Sequence, residues 1–390
     1  MQEYDFDTII ERRHTGSAKW DGVHCTRENG RIPMWVADMD FLCPPEITRA
    51  LMKRAEHGIY GYAICDESYY EVIVNWMQKR HGWKIEKDWI CTSPGIVTAL
   101  DMLLRTYTEP GDKVVIQPPV YYPFFSVVAN NKCELLENPL LLDEGKYRID
   151  FEDLEEKFKS GTKIFLFCSP HNPVGRVWTR EELVRLGALC LEYDVLVIAD
   201  EIHSDLIFPG LTHHVFADLS EDLARQTIVC NAPSKTFNLA GLQASNIIIS
   251  NPDLRKRYNR TMRNSGLGLL NVFAIEGLKA AYTFGEPWLD ELLVYLKANY
   301  DFLQTFIEEK TPQLILTEAE GTYLAWIDFR NLILDDAAVE QQLKNEADLI
   351  LERGSLFGTG GQGFQRLNFA CPRVLLSAGL NRLAYWINTQ

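Results

Sequence analysis

The sequence is short of basic charge, of long apolar runs and of patterned cysteine. Its 390 residues carry 39 Lys plus Arg against 54 Asp plus Glu, a formal net charge of −15. Nucleic acid and anionic membrane surfaces both call for a basic footprint, so no nucleic-acid partner is expected and a small molecule is the better substrate class. Any anionic ligand must then be held by local donors. No run approaches the roughly 18 apolar residues of a membrane span, and the acidic start, Met1 to Asp7, has no apolar leader core, so no membrane association is expected. The nine cysteines (Cys25, Cys43, Cys65, Cys91, Cys133, Cys168, Cys190, Cys230 and Cys371) stand singly, with no CxxC pair. Reduced thiols in a cytoplasm fit that pattern. His203, Asp205, His213 and His214 lie near one another in sequence but lack HxxxH or HExxH spacing, so no metal site is expected. Internal repeats and low-complexity segments are absent too.

What is present is ordinary globular composition, 46% hydrophobic and 24% charged, in a chain longer than the roughly 250 to 300 residues one core usually serves. A large domain over 46–288 is expected, with a smaller one from 1–45 and 289–390. From about Val97 to Ile249, apolar β-branched runs alternate with amphipathic stretches, the pattern of βα repetition and an α/β fold with a mostly parallel central sheet flanked by helices. The expected strands are Lys113 to Gln117, Lys163 to Cys168, Val195 to Asp200, Thr227 to Asn231 and Ser245 to Ser250. Thr179 with Glu182 forms a capping box that opens a helix placing Leu183, Leu186, Leu189 and Cys190 on one face. Beyond Asn251 the texture turns helical, with a long helix over Glu286 to Lys310. An α+β region follows: a strand within Thr322 to Phe329, a helix over Asp336 to Glu346, a Gly-rich stretch from Phe357 to Phe364, and a last helix from about Leu375.

Ligand groups in open α/β sheets gather beyond the C-terminal ends of strands. The residues there are Asn172, then Asp200 and His203, then Lys235. A lysine, a carboxylate and an amide on three strand ends suit a pyridine-aldehyde cofactor, pyridoxal 5′-phosphate. The lysine forms a Schiff base, Asp200 keeps the ring nitrogen protonated, and Asn172 donates to the phenolic oxygen. Gly95, Ile96 and Val97, followed by an expected helix over Thr98 to Tyr107, offer N–H groups at a helix N-terminus to the phosphate. Tyr121 can stack on the ring, opposite the face taken by Asn172 or His203. Taken one at a time, these residues also fit plainer roles: Lys235 on the surface, Asn172 in a turn before Pro173, Asp200 as a helix cap, Tyr121 in the core.

Together, however, KWD (Lys19 to Asp21), MWVADMDF (Met34 to Phe41), YGY (Tyr60 to Tyr62), CSPHNPVGRVW (Cys168 to Trp178), DEIHSDL (Asp200 to Leu206), SKTFNLAGL (Ser234 to Leu242) and RLNFACPR (Arg366 to Arg373) resemble the MalY/PatB-type cystathionine β-lyases. These are fold type I pyridoxal-phosphate enzymes of the class I and II aminotransferase superfamily, and the resemblance runs over nearly the whole chain. It implies Lys235 as the Schiff-base and catalytic lysine, with Ser234 beside it at the cofactor, Asp200 at the pyridinium, Asn172 at the phenolic oxygen and Tyr121 as the stacking ring. It further implies Arg366 on the substrate α-carboxylate, and Tyr62 reaching the phosphate of a second subunit in a homodimer with shared sites. Two departures stand out. Gln243 occupies the place of a phosphate-binding arginine in the aspartate-aminotransferase branch, and His203 that of a tyrosine in many aminotransferases. The implied activity is cleavage of L-cystathionine or related cysteine S-conjugates to a thiol, pyruvate and ammonia. The alternatives are an aminotransferase, or a lyase that also binds a regulatory protein.

Overall fold

The computed structural model of the chain describes residues 4–22, 30–332 and 334–389. Cys25 and the first three residues lie outside the described residues. A seven-stranded sheet forms the centre. Numbering the strands of the two main sheets in chain order, it comprises β1 (Ile90–Ser93), β2 (Lys113–Ile116), β3 (Glu134–Glu137), β4 (Thr162–Cys168), β5 (Leu196–Asp200), β6 (Thr227–Asn231) and β7 (Ser245–Ile249). Their spatial order is β1-β7-β6-β5-β4-β2-β3. The four pairings from β6 to β3 are parallel, whereas β7 runs antiparallel to both β6 and β1. Two reversals restore direction. Thus β1 points the same way as β5 and β6, and its C-terminal end reaches the same edge as theirs.

Period-two alternation explains why these strands read as apolar throughout. Ile164, Leu166 and Cys168 of β4 pack with Leu100, Leu103 and Leu104 of the helix Ile96–Tyr107 on one side of the sheet. Phe165 and Phe167 pack on the other side with Leu183, Leu186 and Cys190 of the helix Arg180–Glu192. Both faces are covered, and each such aliphatic side chain contributes roughly 1.5–3 kcal/mol by leaving water. The capping box at Thr179 is formed, its side chain accepting from Glu182 N while Glu182 accepts from Thr179 N.

Helices Glu286–Lys310 and Asp336–Glu346 have the expected bounds, and the last helix starts at Arg373, two residues early. Two strands of the central sheet were not expected from the sequence, and neither were Ile315–Leu316, Glu352–Arg353 and Phe364–Asn368 in the C-terminal region. Edge strand β3 (ELLE) is charged at both ends and only partly buried, and β1 is four residues bracketed by Trp89 and Pro94. The C-terminal region carries an antiparallel sheet of β8 (Ile315–Leu316), β9 (Leu324–Asp328), β10 (Glu352–Arg353) and β11 (Phe364–Asn368), in the order β8-β9-β11-β10. Alongside it runs the N-terminal segment, whose Ile32 and Pro33 pair in parallel with Leu349 and Ile350.

Candidate active site

The co-directed ends of β1, β4, β5 and β6 converge on one cavity of about 310 Å³. Ten of the residues singled out from the sequence line it: Lys235, Asp200, Asn172, Tyr121, His203, Gly95, Ile96, Val97, Ser234 and Arg366. Tyr62 does not. Its side chain is 99% exposed, in a run that also exposes Ile59, Tyr60 and Ile64.

Lys235 sits in the short helix Pro233–Thr236 directly after β6, with Pro233 setting the first turn. Its Nζ donates to the carbonyl of Ala37 at 2.6 Å, an oxygen that also accepts from Tyr323 Oη at 2.9 Å. Burial, reinforced by the nearby charge of Arg366, lowers the ammonium from an ordinary 10.5 to about 8. That leaves a useful share of neutral amine close to physiological pH. Next door, Thr236 Oγ1 donates to Asp205 at 2.8 Å, which fixes the helix from behind.

Asp200 ends β5 and is buried, and among the described residues its carboxylate accepts one hydrogen bond, from the backbone N–H of Ile202 at 3.2 Å. Burial pushes its carboxyl up to about 7. A carboxyl placed this way fits a cationic ring nitrogen, whose charge would offset the cost of burial. His203 is also buried, its Nδ1 has no protein partner, and burial lowers it to about 3, so the imidazole is neutral. Its ring meets Tyr323 edge-on at 5.9 Å.

At the end of β1 the chain turns at Gly95, with φ of +115°, where an L side chain would be strained. The N–H groups of Ile96, Val97 and Thr98 precede the first helical bond, Ala99 N to Gly95 O, so they present a cradle of donors at the positive end of the helix dipole. Because β7 runs antiparallel to β1 with Ser245 opposite Ser93, the residues that begin β7 enter the same corner. Hence Gln243 and Ser245 join the cradle wall. This donor set suits a dianionic phosphate.

Arg366 is fully buried on β11. Its Nη1 donates to Asn172 Oδ1 at 3.1 Å and its Nη2 to Trp35 O at 2.8 Å, while the guanidinium lies 4.9 Å from the centre of the Phe357 ring. With its carbonyl occupied by Arg366, the Asn172 amide keeps its N–H groups for an anionic oxygen.

The sequence reading assigned no site role to Trp35, Val36 and Ala37, which close one wall of the cavity. Their placement depends on three separated motifs and on Arg12, which lies outside all of them. Asn368 donates to the carbonyls of Val36 and Asp38, both at 2.6 Å, and Asn238 grips Met39 N, Met39 O and Phe41 O. Lys19 Nζ donates to buried Asp40 at 2.6 Å, and Arg12 pairs with Asp38 at 2.7 Å. The only early signal was that these residues, Arg12 apart, fall in segments shared by the resemblance. His213 and Asp205 are engaged elsewhere, with Glu201 and His81 respectively, each at 2.9 Å.

The arrangement can hold a phosphorylated pyridine aldehyde on an amine and grip an α-carboxylate beside it. Comparisons with known proteins bear on the family. A family model described as aminotransferase class I and II matches residues 32–383. Cystathionine beta-lyase PatB of Bacillus subtilis is 47% identical over 97% of this chain and 98% of its own. Among solved structures, cystalysin of Treponema denticola, containing a pyridoxal 5′-phosphate cofactor, superimposes with a TM-score of 0.96 at 40% identity, covering all of both chains. The PLP-bound C-S lyase of Staphylococcus hominis gives 0.93 at 35% identity, over 99% of this chain and 98% of its own.

Proposed function

The chain belongs to the class I and II aminotransferase family, and on that premise we propose that it is a pyridoxal-phosphate-dependent carbon–sulfur β-lyase acting on L-cystathionine or a related cysteine S-conjugate. The observation that carries the reading is the meeting of Lys235, Asp200 and Arg366 in one cavity beside the N–H cradle at Gly95, in a chain similar to PatB and cystalysin along nearly its whole length. Lys235 would hold the cofactor covalently, Asp200 its ring nitrogen, Asn172 its phenolic oxygen, Tyr121 and His203 its faces, and Ile96, Val97 and Ser234 its phosphate. When bound, the cofactor supplies an electron sink for the pair left on the substrate Cα.

The protein's own groups do the rest. Arg366, already aimed by Asn172 and Trp35, takes the α-carboxylate through its guanidinium fork. Lys235, once displaced, is an amine of lowered basicity and accepts the Cα proton. Asp200 would stay anionic opposite a cationic ring nitrogen. Neutral His203 adds no charge to the cation-bearing wall. Loss of the thiolate from Cβ, followed by hydrolysis, balances as cysteine S-conjugate plus water giving thiol, pyruvate and ammonia.

The proposal includes a homodimer in which Tyr62 enters the neighbouring subunit's phosphate site, supported by its full exposure in an apolar run. A reducing, cytoplasmic setting is supported by the free cysteines, eight among the described residues. No described helix is long and apolar enough to cross a membrane. The test is release of pyruvate from L-cystathionine with no keto acid present. Turnover that appears only when a keto acid is added would make the protein an aminotransferase instead.

A further inference from the structure

The cavity contains a carboxylate that this chemistry leaves unused. Glu352 lies on β10 directly opposite Arg366 of β11. Its side chain is 9% exposed and lines the same cavity as Arg366 and Lys235. Oε2 stands 3.4 Å from Arg366 Nη2, at the long end of the hydrogen-bonding range. Arg366 does not depend on it for aim, because Asn172 Oδ1, Trp35 O and the Phe357 ring already fix the guanidinium at shorter range or by stacking.

Glu352, in contrast, has no better partner among the described residues. Among the charged and titratable groups around it, Arg353 on the same strand pairs with Glu340 at 3.5 Å. Glu340 belongs to the packed helix Asp336–Glu346 and adds a like charge, and Tyr122 faces Glu352 from the loop after β2. Burial raises the Glu352 carboxyl and Arg366 draws it down, with Glu340 raising it further.

We propose that Glu352 competes with the substrate α-carboxylate for Arg366, so that binding the substrate drives a proton onto Glu352. The inference rests on the assignment of Arg366 to the α-carboxylate. Two carboxylates brought to one buried guanidinium cannot both remain charged without a large penalty, and the one with fewer donors takes the proton. Glu352 has one long contact, whereas an arriving carboxylate can use the fork of Arg366. Affinity for α-carboxylate ligands therefore falls as pH rises, by at most about tenfold per pH unit. Glutamine at 352 cannot carry the charge.

The experiment uses the holoenzyme and L-alanine, an amino acid with no leaving group at Cβ, with binding followed through cofactor absorbance from about pH 6.5 to about pH 9. Glu352→Gln should bind L-alanine more tightly than wild type, by about tenfold at the alkaline end, and its dissociation constant should rise less steeply with pH. Proton loss from the ligand's own ammonium group is common to both proteins and cancels. Glu352→Ala should shift in the same direction, which keeps the test open if the Gln variant folds poorly. Weaker binding in both variants, or a pH slope equal to that of wild type, would overturn the proposal and leave Glu352 as a support for Arg366. The lyase reading fails separately: a wild type that binds L-alanine yet releases no pyruvate from L-cystathionine would sink that reading and leave this one standing.

Discussion

Lys235 gives the most quantitative prediction, because its lowered basicity has stated causes. Burial is the largest and the charge of Arg366 the next, and together they bring the amine from 10.5 to about 8. At pH 7 roughly a tenth of such amines are neutral, against about one in three thousand for an ordinary lysine, so apoenzyme should present about 300 times more nucleophile. Second-order capture of pyridoxal phosphate, followed by stopped-flow absorbance, should rise with pH to a midpoint near 8 and then level off. A simple alkylamine run in parallel carries the cofactor's own titration and allows it to be divided out. Replacing Arg366 with Met removes one cause and should move the midpoint upward. The same shift has a consequence for stability. Between about pH 8 and 10.5 the unfolded chain holds a proton that the folded apoenzyme lacks, so this residue's contribution to stability rises with pH through that window. Below it, the buried cation costs about 3 kcal/mol. Capture that keeps climbing to pH 10 with the slope of the model amine would refute the reasoning.

Three further outcomes follow from the same geometry. Asp200→Ala should slow Cα proton removal by about a thousandfold, measured by solvent exchange of the α-proton, since the ring nitrogen loses its counter-charge. Arg366→Lys keeps the charge but loses the fork held by Asn172 and Trp35, and should lower kcat/KM by about 10- to 100-fold, mostly through KM. Tyr62→Phe should quicken cofactor loss on dilution, and wild-type protein should sediment as a dimer at assay concentration. A fully active monomer would contradict the shared site.

Much of the frame was legible because it depends on local rules. The Thr179 cap, the long helix Glu286–Lys310 and strand Thr227–Asn231 are each specified by their own residues. Local rules failed where structure is borrowed from elsewhere. β3 is a strand because β2 offers it a ladder, despite glutamates at both ends. The reversal of β7, which carries Gln243 and Ser245 to the phosphate cradle, leaves no mark on its own residues. In the site, Lys235, Asp200 and Asn172 announced themselves by following strands. Ala37 accepts from Lys235 across 198 positions, and Glu352 meets Arg366 only through the pairing of β10 with β11. Neither contact has a spacing that a linear pattern could reveal.

The central claim is carbon–sulfur cleavage on a cofactor held by Lys235, and the most direct measurement is product stoichiometry from L-cystathionine without any keto acid. The account predicts thiol, pyruvate and ammonia in a one-to-one-to-one ratio over many turnovers, and none of the three from Lys235→Ala. Pyruvate missing from the wild-type products, or an undiminished yield from Lys235→Ala, would contradict it.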